Sequence, residues 1–252
     1  MVDLLDDALL ARSLALSAGE VLLDVRTSSL TGRDLAAAGD RGAHEHLIAR
    51  LTGERPDDVV LSEEGADPQA RLAADRVWIV DPLDGTREFS EGRADWAVHV
   101  ALWQHGDLVA GAVSLPAQGL VFDTAEPPAV PAREDGAPLQ VAVSRTRPPH
   151  LVHGLVARLG LQTVPMGSAG VKTAAVWRGE ADVYVHAGGQ YEWDSAAPVA
   201  VARAAGLFTS RIDGSQLVYN RPDPLLPDLL VCRPEIAETL LDALRALDEV
   251  NA

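Results

Sequence analysis

The segment that most constrains the fold is VWIVDPLDGTREF, residues 77–89, in which an apolar run is followed by two acidic residues bracketing Pro-Leu. Four apolar residues bounded by turn-forming residues are typical of a buried β-strand. Pro82 has no N–H and biases the preceding residue towards extended backbone. The strand is therefore predicted to end at Asp81, with its side chain beyond the sheet. A strand followed by a plain Asp-Gly turn is the alternative.

The residues after the proline predict a site for an anion and a cation together. The N–H groups of Gly85 and Thr86 are predicted to point outward at the start of a short helix, which favours an anion. Asp81 and Asp84 would repel a phosphate there unless a cation lay between them. Carboxylates, together with a turn carbonyl such as that of Leu83, are the oxygen ligands that Mg²⁺ prefers. The segment thus favours a magnesium-dependent phosphate site.

Two further acidic clusters lie at predicted element ends. Glu63 and Glu64 follow the apolar run DVVLS, and Asp194 is predicted as the N-cap of a helix that is apolar nearly all round. Each has a simpler explanation, because paired glutamates are common on solvated surfaces and capping alone accounts for an acid at a helix start. Three clusters at element ends nevertheless favour a joint metal site. None of the seven histidines is predicted as a ligand.

The rest of the chain predicts an α/β fold of layered α+β type with two lobes. Residues 3–26 predict an amphipathic helix, from apolar residues at helical spacing: Leu5, Leu9, Ala15, Ala18, Leu22 and Val25. A second helix is predicted to begin at Asp40. WAVHVALW, DLVAGAVSL and GLVFD predict antiparallel strands. Beyond the proline-rich segment 125–138, helices and strands alternate.

Length and charge limit the classes of protein. A chain of 252 residues predicts a single domain, 1–252, with lobes at approximately 1–126 and 137–252. A net charge of −16 argues against a nucleic-acid polymer or a membrane surface as partner. The acidic N-terminal segment is unlike a signal peptide, so the expected location is cytoplasmic. The sequence leaves the oligomeric state open between monomer and homodimer.

The order of the motifs resembles that of the inositol monophosphatase superfamily: E-E, then W-I-V-D-P-L-D-G-T-x-E-F, then W-D-x-A-A. The likeness extends from Asp40 to Gly206. It implies a sugar-phosphatase fold with alternating helix and sheet layers, and a lithium-sensitive, Mg²⁺-dependent phosphatase. It also implies that two or three Mg²⁺ ions are bound by the carbonyl of Leu83 and four carboxylates: Glu63, Asp81, Asp84 and Asp194.

The resemblance assigns the orientation of the attacking water to Asp40 and Thr86. Water activated by the metal would attack phosphorus in line, with no phosphoenzyme. Two segments resemble substrate contacts of the CysQ-like branch: GSAGVK, with Ser168 and the single lysine Lys172, and VSRTR, with Ser144 and Arg147. Gly85 and Thr86 complete the expected phosphate contacts.

The pair Arg87-Glu88 bears on the substrate. Inositol phosphatases usually read D-G-T-T-N-F, whereas D-G-T-R-E-F is similar to the CysQ-like 3'(2'),5'-bisphosphate nucleotidases. This resemblance implies hydrolysis of 3'-phosphoadenosine 5'-phosphate to AMP. Inositol monophosphate, histidinol phosphate and fructose 1,6-bisphosphate are alternative esters, and a non-catalytic metal-binding sensor is an alternative from another class.

Overall fold

Two five-stranded sheets form the frame of the protein. The computed structural model describes residues 4–134 and 136–251. The first sheet has the order β1-β2-β3-β4-β5, with β1 parallel to β2 and the remaining pairs antiparallel. Its half of the chain comprises α1 (Leu4–Arg26), α2 (Gly32–Glu54), β1 (Val59–Ser62), β2 (Arg76–Asp84), α3 (Thr86–Ser90), β3 (Ala97–Gln104), β4 (Asp107–Leu115) and β5 (Leu120–Asp123).

The second sheet has the order β7-β6-β8-β10-β9. Strand β6 runs parallel to β7 and β8, and β10 runs antiparallel to β8 and β9. This half comprises β6 (Gln140–Ser144), α4 (His150–Leu159), β7 (Gln162–Met166), α5 (Ala169–Trp177), β8 (Val183–Tyr191), α6 (Glu192–Ala204), β9 (Phe208–Ser210), β10 (Leu225–Cys232) and α7 (Ala237–Asn251).

Helices cover both faces of each sheet, which gives five layers. Helices α1 and α2 cover one face of the first sheet, α5 and α6 lie between the sheets, and α4 and α7 cover the outer face of the second sheet. The sequence of strand β2 is a continuous apolar run because both faces of the strand are buried. Val77 and Ile79 face the α5–α6 layer, while Trp78 and Val80 face α1 and α2. The predicted layered α/β fold is confirmed.

Helix α2 begins at Gly32, so the prediction that it begins at Asp40 was wrong. Asp40 was predicted as an acidic N-cap before an apolar run, but the N-cap is Thr31, and Gly39 and Asp40 lie inside the helix. A Cβ on Gly39 would meet the Phe89 ring at 2.9 Å, so the glycine permits close packing against α3. Asp40 consequently lies within α2.

Strand β2 continues through Pro82 to Asp84, so the prediction that it ends at Asp81 was also wrong. The pairing with β3 shifts register between Asp81 and Asp84, which marks a bulge or irregularity. Such an irregularity accommodates a proline, because the missing N–H need not take part in the ladder.

Helix α1 confirms the predicted N-terminal helix, although Leu9 is 49% exposed rather than packed. The side chain of Leu5 lies outside the described residues. No helix in the described part of the chain is long and apolar enough to cross a membrane.

Candidate active site

Three acidic side chains meet where β2 approaches the start of α6. Asp81 and Asp84 lie at the end of β2, and Asp194 lies in the first turn of α6. One oxygen from each carboxylate lies within 4.8 Å of the other two. Asp81 is 1% exposed and Asp84 is 8% exposed, so these charges are largely removed from water. The structure therefore brings together three of the four predicted carboxylates in one cluster.

Asp194 is held in the cluster by its own helix. It is the third residue of α6, not the predicted N-cap, which is Tyr191. Its Oδ2 accepts a hydrogen bond from the Tyr191 N–H at 2.6 Å, as in a capping box. The capping explanation and the cluster position thus hold for the same carboxylate.

Glu63 follows β1, which is parallel to β2, and its N–H donates to the Val80 carbonyl at 3.3 Å. Glu63 lines the same cleft as Asp84 and Asp194, and its charge adds to burial in raising the pKa of Asp81. The residue is exposed overall, and it is not one of the three carboxylates of the tight cluster.

Crowding raises the affinity of these acids for protons. Burial raises the pKa of Asp194 to about 7, with Asp84 adding repulsion. Although much of Glu63 is exposed, desolvation beside the other acids also raises its pKa to about 7, and the charges of Asp194 and Asp84 act in the same direction. The pKa of Asp81 lies well above its ordinary value, because of burial first and the charge of Glu63 next. Such a group of carboxylates stays fully ionised at neutral pH when a cation offsets the repulsion.

The start of α5 binds Asp84 from the second half of the chain. Asp84 Oδ2 accepts hydrogen bonds from the Ser168 hydroxyl and from the Gly170 N–H, the latter at 2.7 Å. Ser168 is the N-cap of α5 at a φ of 54°, and its Oγ also accepts from the Val171 N–H at 3.0 Å. Ser168, predicted from sequence as a substrate contact, therefore orients an acid of the cluster.

His99 is a site residue that the sequence reasoning missed. Its imidazole is fully buried on β3, with Nε2 3.3 Å from Asp84 Oδ2 and Nδ1 3.1 Å from the Trp193 carbonyl. Burial lowers its pKa. The alternation of WAVHVALW placed His99 on a strand face, but only the fold brings that face against Asp84 and α6.

Thr86 and Asp40 lie together beside the cluster. Thr86 Oγ1 lies 3.4 Å from Asp40 Oδ1 and 3.1 Å from the Leu83 carbonyl. Burial raises the pKa of Asp40 to about 6, and the charge of Glu64 adds to the shift. Gly85 precedes Thr86 at a φ of 91°, and a Cβ there would come 3.2 Å from Ser168 and Trp96. A glycine is therefore required where the chain turns from β2 into α3.

A cleft of about 490 Å³ lies over the acids and continues into one of about 230 Å³. Both are lined by Ser144, Arg147, Ser168 and Lys172. Lys172 is 6% exposed, and its Nζ donates to the Ser168 carbonyl at 2.5 Å. Burial lowers the pKa of Lys172, while Asp84 and Glu88 act to raise it. Positive groups are thus concentrated beside the acids in an otherwise acidic protein.

Glu88, the acidic residue of the pair Arg87-Glu88, has a structural role. It is buried, and its Oε1 accepts from Arg145 Nη2 at 2.9 Å. Arg145 Nη2 also donates to Oε2 of Glu91, the C-cap of α3, at 2.7 Å, so α3 and its C-cap anchor the segment that follows β6. In that segment the Arg147 N–H donates to Ser144 Oγ at 3.2 Å. Glu88 therefore positions the segment that carries Arg147.

The donor set fits a hard divalent cation. Asp81 Oδ2 is buried and has no hydrogen-bond partner, although a buried carboxylate oxygen needs one. The oxygens of Asp84 and Asp194 converge on the same point. An oxygen-rich set of this kind suits Mg²⁺ better than a thiolate- or imidazole-seeking metal.

Comparison with known proteins identifies the family. The model of the inositol monophosphatase family matches residues 6–249. The chain belongs to the inositol monophosphatase family. It is 53% identical over 240 residues to the 3'-phosphoadenosine 5'-phosphate phosphatase of Mycobacterium bovis, which covers 90% of this chain and 89% of that protein. It is 49% identical to the Mycobacterium leprae protein of the same name, over 96% of this chain and 94% of that protein.

Within the family, the solved structure of CysQ from Bacteroides thetaiotaomicron is similar throughout. Its TM-score is 0.80 at 29% identity, and the match covers 90% of this chain and 97% of that one. The predicted membership of the inositol monophosphatase family and the predicted fold are both confirmed.

Proposed function

We propose that the protein is a Mg²⁺-dependent phosphomonoesterase that removes the 3'-phosphate of 3'-phosphoadenosine 5'-phosphate to give AMP. The observation that carries the proposal is the cluster of Asp81, Asp84 and Asp194 opening onto a cleft with positive groups at its far side. The mycobacterial relatives, similar over nearly the whole chain, bear the name of that activity.

The metal would be held by Glu63, Asp81, Asp84 and Asp194, with the carbonyl of Leu83. Bound divalent cations supply Lewis-acid chemistry, which stabilises the charge on the phosphoryl group and makes water a better nucleophile. The chain supplies the geometry: the α5 hydrogen bonds fix Asp84, and the capping box fixes Asp194.

Asp40 and Thr86 are the pair that would take the proton from water. The Thr86 hydroxyl can accept a hydrogen bond from water while it donates to Asp40 Oδ1, 3.4 Å away. With a pKa of about 6, Asp40 is ionised at neutral pH and still basic enough to receive a proton. Gly85 and Thr86 would meet the phosphate with their N–H groups.

The second phosphate of the substrate would lie against Arg147, Lys172 and the hydroxyl of Ser144, with Ser168 nearby. These residues line both parts of the cleft. Two phosphates bring more negative charge than one, and charged hydrogen-bond donors compensate it in a chain whose net charge is −16.

A comparison of esters tests the substrate. We expect kcat/KM at fixed Mg²⁺ to be highest for 3'-phosphoadenosine 5'-phosphate, ahead of inositol monophosphate, histidinol phosphate and fructose 1,6-bisphosphate. Activity should vanish with a chelator and return with Mg²⁺. A higher kcat/KM for inositol monophosphate would contradict the proposed substrate. Phosphate release at the same rate with and without Mg²⁺ would contradict the proposed metal-dependent mechanism.

The substitution Arg147→Ala tests whether Arg147 binds the second phosphate of the substrate. We expect it to raise KM for the bisphosphate by about 10–100-fold, the value of a charged hydrogen bond. Adenosine 3'-monophosphate, which lacks the second phosphate, should lose little. Equal losses for both substrates would mean that Arg147 does not bind the second phosphate.

A further inference from the structure

Arg71 is fully buried in the connection between β1 and β2. It lies in a single 3-10 turn, Gln69–Ala73, eight residues after Glu63. A buried guanidinium requires partners for its charge and for its N–H groups. Asp67 supplies the opposite charge: Arg71 Nε donates to Asp67 Oδ1 at 2.6 Å, and Nη2 donates to Oδ2 at 2.9 Å. This two-point ion pair fixes the side chain of Arg71 within the connection.

The Nη1 group of Arg71 binds the other half of the chain. It donates to Asn220 Oδ1 at 2.9 Å and to the Arg221 carbonyl at 2.8 Å. Asn220 Nδ2 returns a hydrogen bond to the Arg71 carbonyl at 3.0 Å. Asn220 has a φ of 58°, a left-handed conformation that asparagine adopts more readily than most residues. Arg71 and Asn220 thus join the two halves by reciprocal hydrogen bonds, which we call the Arg71 link.

The segment around Asn220 is in turn fixed to the start of α6. Glu192, the first residue of α6, is fully buried, and its two carboxylate oxygens accept from the N–H groups of Asn220 at 2.7 Å and Arg221 at 2.9 Å. The Glu192 N–H donates to the Pro224 carbonyl at 2.8 Å. Asp194 lies two residues further along α6. The Arg71 link therefore ends at the helical turn that carries Asp194.

We propose, on the basis of the metal-dependent function proposed above, that Arg71 is a positioning residue for the metal site. It holds the connection that begins at Glu63 against the start of α6, so it joins the supports of two acids from different halves of the chain. Supports of this kind raise metal affinity, because the ligands need not be brought together at the moment of binding.

Glu63 is the acid that depends most on such a support. Asp84 is held by α5 and Asp194 by its own capping box, whereas Glu63 lies outside the tight cluster of three carboxylates. Loss of the Arg71 link should release the connection that carries Glu63. Binding of the cation should then weaken, while the groups that touch the phosphate stay in place.

Arg71→Met and Asn220→Gly break the link from opposite ends. Methionine keeps an unbranched apolar stem without N–H donors, and glycine accepts the φ of 58° without the amide. The probe is Mn²⁺, which takes the same oxygen ligands as Mg²⁺ and can be followed by electron paramagnetic resonance of the free ion. We expect each variant to bind Mn²⁺ about 10-fold more weakly, and the loss of kcat/KM at low Mg²⁺ to be recovered at saturating Mg²⁺.

The effects of the two substitutions should not add. Because both break the same link, the double variant should bind Mn²⁺ about as weakly as either single variant. Arg76→Met is the matched control. Arg76 is also mostly buried and pairs with Asp7 and Asp58, but it lies at the opposite end of β2 from Asp84. This control should lower the melting temperature and leave the Mn²⁺ affinity unchanged.

Hydrogen exchange of the metal-free protein tests the link without a cation. Exchange in residues 63–75 and 219–222 should accelerate in Arg71→Met and Asn220→Gly, and not in Arg76→Met. Unchanged exchange there, variants that bind Mn²⁺ as tightly as the wild type, or a control that weakens binding equally would each overturn the role of Arg71. A wild type that binds no Mn²⁺ would instead overturn the proposed metal site itself.

Discussion

Asp84 is the residue at which the two halves of the chain meet the proposed metal site. Its Oδ2 accepts hydrogen bonds from Ser168, the N-cap of α5, and from the Gly170 N–H, and one of its oxygens lies within 4.8 Å of oxygens of Asp81 and Asp194. In Asp84→Asn the amide oxygen can keep the α5 hydrogen bonds, while the amide nitrogen cannot bind a cation. We expect kcat/KM to fall at least about 10³-fold, the equivalent of about 4 kcal/mol of transition-state stabilisation.

The stability of the metal-free Asp84→Asn variant should not fall with its activity. The substitution removes one negative charge from crowded carboxylates, so the melting temperature without metal should not fall. The rise in melting temperature on adding Mg²⁺ should disappear. Turnover at the parental rate would exclude Asp84 as a ligand.

The raised pKa values of Glu63 and Asp194 predict a pH effect on the metal-free protein. Both acids hold protons more tightly folded than unfolded, with a pKa of about 7 against ordinary values near 4. Their contribution to stability is complete below about pH 4 and is lost as the pH rises through about 7. Urea unfolding with a chelator should show wild type losing free energy of unfolding relative to Asp194→Asn over this interval. Parallel pH curves for the two proteins would contradict the assignment.

At the scale of elements, the start of α5 depends on a glycine. A Cβ on Gly170 would collide with the His99 imidazole and lie 3.1 Å from Ala97. Gly170→Ala should push α5 away from Asp84, weaken the Mg²⁺ response and lower kcat/KM by about 10–100-fold, as loss of a hydrogen bond to a metal ligand does. Measuring kcat/KM against Mg²⁺ concentration separates weaker metal binding from loss of fold.

Gly53→Ala is the matched control for that change. Gly53 is exposed near the end of α2 with nothing near its missing Cβ. Alanine there should stabilise the protein by about 0.5–1 kcal/mol and leave activity unchanged. Equal effects of the two substitutions would mean that close packing at Gly170 is unimportant.

The sequence predicted elements better than their ends. Strand β2 was visible in its apolar run, but its continuation past Pro82 depends on the irregular pairing with β3. The start of helix α2 was predicted too late because Asp40 was taken as an acidic N-cap, whereas the helix continues through Gly39, which packs against Phe89. Acids at element ends pointed to the cluster, since strand order brings such ends together. His99 and Gly170 gave no such signal, because their importance arises only when α5 packs on β3.

At the scale of the whole molecule, α5 and α6 belong to both halves. The core between the sheets joins Ile79 and Val113 of the first sheet to Leu229 of the second through Val176 and Val199 of these helices. We therefore propose that residues 1–252 form one domain with two lobes. Calorimetry should give a single transition, with equal calorimetric and van't Hoff enthalpies. Two separate transitions would mean that the lobes are independent domains.

Magnesium should raise the temperature of that single unfolding transition. The cluster joins β2 to α6, so a bound cation favours the state in which both are in place. At 100 times its Kd a ligand adds about 2.7 kcal/mol, which corresponds to a rise of about 5–10 °C for a chain of this size. Calorimetry with Mg²⁺ and with chelator measures the rise, and an unchanged transition would argue against a cation at this position.

The position of Lys172 also determines where acylating reagents can modify a side-chain amine of the protein. Arginine supplies nearly all of the positive side-chain charge, so the outer surface offers acylating reagents no side-chain amine. The one lysine of the chain is buried at the cleft, where its Nζ donates a hydrogen bond to the Ser168 carbonyl. Any acyl transfer to a side-chain amine must therefore occur in the cleft itself, so such a modification would report occupancy of the cleft and not accessibility of the outer surface.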